Sequence, residues 1–234
     1  MTFDRAYLQS LLALSEAAYD ATLMPAGYTE PVRIVADLSV SAALLDPSQL
    51  DFGFVCKSLS DDMVYVVFRG TANTQEWADD ACAVLVGHWW HGNVHKGFRD
   101  VFAALEGSVA AAVKREAGPI TFIGHSLGAA LATLCSVAWP NFKSPHLVTF
   151  ASPRVGDCEF ADLVQANTET HLRIVNSRDI VTHVPGRPLF SHTGGTITFH
   201  GTALDWRTAH SEPLTYGPAI AAMPEVIESE PNGR

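Results

Sequence analysis

Ile120-Thr121-Phe122-Ile123-Gly124-His125-Ser126-Leu127-Gly128-Ala129-Ala130-Leu131-Ala132-Thr133-Leu134 packs a strand, a turn and a helix into one short stretch. The first four residues are apolar or β-branched, the composition of a strand buried on both faces. The Ala/Leu-rich run that follows is made of strong helix formers. Between them, Gly124 to Gly128 fits G-x-S-x-G. With Gly and Ser each near ~7% of residues, roughly one chain of this length in twelve carries that pattern by chance. The pattern gains meaning from its setting between strand and helix, where the turn lifts a serine hydroxyl clear of the sheet. A serine held that way needs a positive φ. It needs glycines at 124 and 128, where a Cβ would strike backbone. The helix N-terminus then turns the Leu127 N–H toward developing negative charge.

Working outward, the same alternation continues. His146-Ala151 reads as a second strand, Glu159-Ala166 as a helix and Leu172-Asn176 as a third strand. Strand, helix, strand, helix, strand predicts right-handed crossovers and a mainly parallel central sheet with helices on both faces, an α/β fold. Upstream, strands are predicted near Val32-Val35, Phe52-Leu59 and Met63-Phe68, the last two separated by the tight turn Ser60-Asp61-Asp62. Apolar Phe98, Val101, Phe102, Leu105, Val109 and Val113 share one face of a helix from about Lys96 to Glu116. Leu8, Leu11, Leu12, Leu14 and Ala18 do the same within a helix from about Phe3 to Ala21. A last helix is predicted from near His210 toward Met223, with a frayed tail from Pro224. No repeat or low-complexity tract divides residues 1–234, which read as a single domain.

Composition narrows the partners. The 234 residues are 47% hydrophobic and 17% charged, and 25 acidic against 15 basic residues leave a net charge of -10. That balance repels phosphate backbones and argues against nucleic acid. It gives no electrostatic help at anionic membranes, so contact with lipid surfaces is expected to be transient and apolar. The N-terminal residues do not read as a secretory signal, and no apolar run reaches membrane-spanning length. The expectation is a soluble protein, cytoplasmic as encoded, although a secreted mature form would read the same. Cys56, Cys82, Cys135 and Cys158 are scattered without a C-x-x-C pair, so metal binding is not expected and free, mostly buried thiols are. No cofactor motif is present.

A serine hydroxyl becomes a nucleophile only when a neighbouring base takes its proton, and a carboxylate must hold that base in one tautomer. With the turn serine on an α/β sheet, the expected chain order is Ser126, acid, His. Asp179 lies just past the strand Leu172-Asn176, at the carboxyl edge where such groups collect. Asp157 and Asp205 are its rivals, the first a natural cap for the helix after it, the second without a preceding strand. Of ten histidines, His88, His91 and His95 precede the serine and His125 sits inside the turn pointing away from the hydroxyl. Among the later ones, His183, His192, His200 and His210 are the candidates.

Five motifs, in order, resemble the class 3 lipases, the family of the filamentous-fungal triacylglycerol lipases, which also includes feruloyl esterases. They are Phe68-Arg69-Gly70-Thr71, Val94-His95-Lys96-Gly97-Phe98, Gly124 to Gly128, Phe150 to Asp157, and Asn176-Ser177-Arg178-Asp179-Ile180-Val181 with Pro185 beyond. The resemblance runs from Val67 to Tyr216. It implies an α/β-hydrolase fold and a serine carboxylic-ester hydrolase acting on acylglycerols or short-chain esters. It implies His210 as base, with His192 second, and Asp179 as acid. It also implies an oxyanion hole from the N–H groups of Thr71 and Leu127, with Arg69 bracing the loop. A feruloyl-type esterase and a non-catalytic lipase-like interaction module stand beside that reading.

Ala72-Asn73-Thr74-Gln75-Glu76-Trp77-Ala78-Asp79-Asp80 resembles the family's lid helix but departs from its apolar form, Trp77 being the one large hydrophobe. Trp89 and Trp90, between His88 and His91, read either as acyl-site lining or as core. A polar lid transfers little apolar area to an oil surface. Rate is therefore expected to rise smoothly through the solubility limit of a short-chain ester, and a sharp jump there would contradict this.

Overall fold

The computed structural model describes residues 1–41, 50–71, 84–87, 92–116, 118–139, 145–203 and 205–231. Eleven strands are present among them: β1 (Thr2–Asp4), β2 (Val32–Val35), β3 (Asp51–Lys57), β4 (Val64–Phe68), β5 (Leu85–Gly87), β6 (Asn93–His95), β7 (Ile120–His125), β8 (His146–Phe150), β9 (Thr170–Asn176), β10 (Gly195–Phe199) and β11 (Val226–Glu228). The α-helices are α1 (Arg5–Tyr19), α2 (Leu38–Ser41), α3 (Lys96–Val113), α4 (Leu127–Ala138), α5 (Cys158–Asn167), α6 (Trp206–His210) and α7 (Gly217–Ala222).

Seven strands form the central sheet in the order β10-β9-β8-β7-β4-β3-β2. From β4 through β7, β8 and β9 to β10 every pairing is parallel, while β3 runs antiparallel to both its neighbours. Side chains on a strand alternate between faces. Val64, Val66 and Phe68 of β4 thus enter one core with Phe98, Phe102 and Leu105 of α3 and Leu131 and Leu134 of α4. Tyr65 and Val67 enter the opposite core with Leu8, Leu11 and Leu14 of α1 and Ile220 of α7. Both faces are covered, so β4 and β7 are buried along their whole length. At about 1.5–3 kcal/mol per fully buried large apolar side chain, these two cores set the sheet's stability.

The parallel strands point their carboxyl ends to one edge. Register pairs Phe68 with Gly124, His125 with Phe150, and Phe150 with Ile174. The segments leaving β4, β7 and β9, which carry Thr71, Ser126 and Asp179, therefore emerge at the same edge of the sheet, those after β4 and β7 adjacent and that after β9 one strand further on.

Most element boundaries match the sequence reading, and α4 spans Leu127–Ala138 as expected. Three details differ. The first helix starts at Arg5, because Thr2–Asp4 is a strand and the Asp4 carboxylate caps the helix by accepting from Ala6 N–H at 2.6 Å. His210 ends α6 instead of opening a long final helix. Asp205 caps α6, Ser211 caps a π-helical turn over Glu212–Tyr216, and Pro213 and Pro218 each lack the N–H a continuous helix would use. The described residues after Pro224, up to Pro231, are not frayed: β11 pairs antiparallel with β1, Ile227 is buried beside Phe3, and Glu230 exchanges backbone bonds with Thr196.

Removing residues 224–234 strips that pairing and the bond from Arg5 N–H to the Glu225 carbonyl, 2.9 Å. The expected cost is about 2–4 kcal/mol, read as a melting temperature lower by about 5–10 °C. An unchanged melting temperature would mean the tail is not held.

Candidate active site

Ser126 sits between the last residue of β7 and the first of α4 with φ 59° and ψ −126°. A non-glycine residue there is strained, and its surroundings hold it in place. Its N–H donates to the Phe150 carbonyl at 3.1 Å, and its carbonyl accepts from Ala129 N–H at 3.0 Å. A Cβ on Gly124 would lie 2.1 Å from the Gly128 carbonyl oxygen, and one on Gly128 2.3 Å from that of Phe68. Only glycines allow strand, turn and helix to close this tightly. Leu127 is the first residue of α4, where a backbone N–H has no acceptor within the helix.

Asp179 follows β9 and is completely buried. Its Oδ2 accepts from His210 Nδ1–H at 2.8 Å and from the Tyr216 hydroxyl at 2.8 Å, and its Oδ1 accepts from Val181 N–H at 3.0 Å. Tyr216 can donate because its oxygen already accepts from Asn176 N–H at 3.1 Å. Three donors compensate a carboxylate that would otherwise be costly to bury. With the proton on His210 Nδ1 committed to Asp179, Nε2 carries the lone pair of the neutral ring. Among the described residues neither His210 Nε2 nor Ser126 Oγ makes a hydrogen bond, although both atoms are buried.

The rival residues have other employment. Asp157 caps α5 by accepting from Phe160 N–H at 2.9 Å, and Asp205 caps α6 through Thr208 N–H at 2.9 Å. His192 Nε2–H donates to the Thr182 carbonyl at 2.8 Å, His200 Nδ1 is bonded to the Ser177 hydroxyl at 2.6 Å, and His183 is exposed. Thr71 follows Gly70, which packs against Ser126. Arg69 places its guanidinium over the Tyr19 ring, 6.0 Å from the centroid, consistent with a bracing role. Trp77, Trp89, Trp90 and Cys82 lie outside the described residues. Cys56 and Cys135 are buried free thiols and Cys158 an exposed one. Among the described residues no group of three or more His, Cys, Asp or Glu is placed to hold a metal ion, and no helix is long and apolar enough to cross a membrane.

Sequence reasoning missed three groups. Tyr216 supports the Asp179 carboxylate. Tyr19, at the end of α1, reaches His125. Glu212, two residues past His210, is fully enclosed, and burial pushes its carboxyl up to about 8, with Glu16 adding to the rise and the Ser15 hydroxyl opposing it. None had a local signal, because each acts through partners remote in sequence.

Residues 65–189 match the family described as Lipase (class 3). A lipase of Rhizomucor miehei is 30% identical over 201 residues, 77% of this chain and 54% of that protein. A chloroplastic phospholipase A(1), DAD1, of Arabidopsis thaliana is 34% identical over 150 residues, 53% of this chain and 34% of its own length. The chain thus spans about half or less of these relatives. A solved structure, reported as one in which a serine protease triad forms the catalytic centre of a triacylglycerol lipase, superposes with a TM-score of 0.64 at 26% identity, covering 82% of this chain and 79% of that one. The fold is that of the α/β-hydrolases.

Glu212 generates a pH signature. Its folded value of about 8 lies above the ordinary 4.5, so between these values the folded state keeps a proton the unfolded chain has released. That contribution is whole below about pH 4.5, is lost as pH rises to about 8, and is on the order of 4 kcal/mol. Glu212→Gln should flatten the fall in melting temperature between pH 5 and 8. Parallel curves for variant and wild type would refute the assignment.

Proposed function

The chain belongs to the class 3 lipase family, and on that premise we propose that it is a serine carboxylic-ester hydrolase cleaving acylglycerols or short-chain esters. In this reading Ser126 is the nucleophile, His210 the general base, Asp179 its orienting carboxylate, and the Leu127 and Thr71 N–H groups the oxyanion donors. The observation that carries it is the buried 2.8 Å bond from His210 Nδ1–H to Asp179, beside a serine strained at the carboxyl end of β7.

The steps follow from that arrangement. His210 Nε2 takes the hydroxyl proton as Ser126 Oγ attacks the acyl carbon, and Asp179 stabilises the imidazolium that forms. The substrate brings the two unbonded atoms into one hydrogen-bonded line, a tightening common when such sites fill. Negative charge gathers on the former carbonyl oxygen, toward which the N-terminus of α4 is oriented. The imidazolium then gives its proton to the departing alcohol. Water repeats the sequence on the acyl-enzyme and restores Ser126.

Ester substrates of glycerol are favoured by the relatives, which are named lipase and phospholipase A(1) and share acyl-ester chemistry. They are also favoured by Ile180 and Leu214, large hydrophobics 50% and 67% exposed on the segments that carry Asp179 and His210. Apolar side chains so placed next to a polar centre suit an acyl chain. The substrate is expected to meet the protein from a lipid phase by transient contact.

A fluorophosphonate probe tests the reading. Wild type should label with one equivalent, and Ser126→Ala should not label at all. His210→Ala should cut turnover of a short-chain ester by about 10⁴-fold or more. Normal activity in His210→Ala would move the base elsewhere, to His192 first, and absence of labelling in wild type would leave a non-catalytic lipase-like module.

A further inference from the structure

His125 occupies the x of G-x-S-x-G, where its neighbour's chemistry makes no use of a second imidazole. It is nevertheless bonded at both nitrogens. Nε2 lies 2.8 Å from the His210 carbonyl oxygen, and Nδ1 lies 2.8 Å from the Tyr19 hydroxyl. That hydroxyl also lies 2.8 Å from the Gly70 backbone nitrogen. The donors and acceptors allow one assignment. A carbonyl only accepts, so His125 carries its proton on Nε2, and in the neutral ring Nδ1 is then an acceptor. A backbone N–H only donates, so Gly70 donates to the Tyr19 oxygen and Tyr19 donates onward to His125.

We propose that Tyr19 and His125 are positioning residues, whose directed chain from Gly70 N–H through the Tyr19 hydroxyl and the His125 ring to the His210 carbonyl sets the oxyanion loop and the base relative to Ser126. The inference rests on the serine-hydrolase reading above. The chain spans the three segments that must agree: Gly70 immediately precedes Thr71, His125 immediately precedes Ser126, and the accepting carbonyl belongs to His210 itself. The spacing around it is tight. A Cβ on Gly70 would lie 2.8 Å from the Tyr19 hydroxyl, 2.9 Å from Ser126 Cβ and 3.1 Å from the His125 carbonyl oxygen. The rings add contact, His125 with His210 at 4.6 Å between centroids and Tyr19 edge-on to His125 at 5.9 Å. Tyr19 exposes 41% of its surface, yet its hydroxyl turns inward to complete the chain. Burial first, then His210, holds His125 well below the ordinary imidazole range, which keeps the acceptor nitrogen unprotonated.

Tyr19→Phe removes one oxygen and leaves Gly70 N–H and His125 Nδ1 without their partner. The loop carrying Thr71 loses its tether, and a displacement of an ångström at such a group costs about a hundredfold in rate. With p-nitrophenyl butyrate as substrate, kcat/KM should fall about tenfold to a hundredfold, mostly in kcat. Affinity for an alkyl boronic acid, which forms a tetrahedral adduct with Ser126, should fall in parallel. Fluorophosphonate labelling should still reach one equivalent, only more slowly.

In wild type, 15N NMR near neutral pH should show the His125 proton on Nε2. A kcat/KM within about twofold of wild type, or a loss of rate with boronate affinity unchanged, overturns the proposal. A His125 ring protonated on Nδ1 overturns it as well, whether or not Tyr19→Phe folds. Failure of the hydrolase reading itself looks different: wild type then does not label at Ser126, while the tautomer is still read directly.

Discussion

A serine hydroxyl can stand proud of a buried sheet only if the backbone reverses within a single residue, and that reversal governs the architecture around position 126. The left-handed conformation of Ser126 is unfavourable by itself and persists because neighbours on every side determine it. Phe150 takes its N–H, Ala129 takes its carbonyl, and the absence of side chains at 124 and 128 lets β7, β4 and α4 approach closely. The helix after the turn can be apolar nearly all round because it lies between sheet and flanking helices. Strain at one residue is thus offset by packing across several elements, and the serine enters the site with little rotational freedom left to lose.

Behind it lies a second constraint, the management of charge where water is scarce. Asp179 is buried as a carboxylate and is met by three donors, one from the imidazole, one from Tyr216 and one from backbone. Glu212, on the same stretch as His210, meets burial the other way, by keeping its proton. Burial raises the Glu212 carboxyl against a single opposing hydroxyl, that of Ser15, whereas the Asp179 carboxyl is surrounded by three donors. The final turn of chain, from Asp205 to Ala222, is therefore an electrostatic assembly as much as a structural one.

How much of this was legible in the sequence depended on whether the signal was local. The strand Ile120–His125 and helix Leu127–Ala138 were visible in composition and period, and the helix ends matched. Asp179 was expected at the carboxyl end of a strand and is found just beyond β9. Asp157 was expected to be able to cap a helix and does so. The stretch after His210 departs from one long helix because Pro213 and Pro218 interrupt it, and the order of the tail has no local signal because its pairing partner lies more than two hundred residues away. Tyr19 and Tyr216 left no trace at all. A tyrosine at the end of an amphipathic helix looks like any other, and the hydrogen bonds that distinguish these two reach across 51, 106, 37 and 40 positions.

The ribbon made by β1 and β11 links these observations. It clasps the start of α1 through the bonds from Arg5 to Met223 and Glu225, and the other end of α1 carries Tyr19. Local opening in a folded protein proceeds through contiguous cooperative units. Here the ribbon of β1 and β11 and the helix that reaches His125 are contiguous. A pull that parts β1 from β11 thus acts first on the start of α1, whose far end carries the hydroxyl bonded to His125.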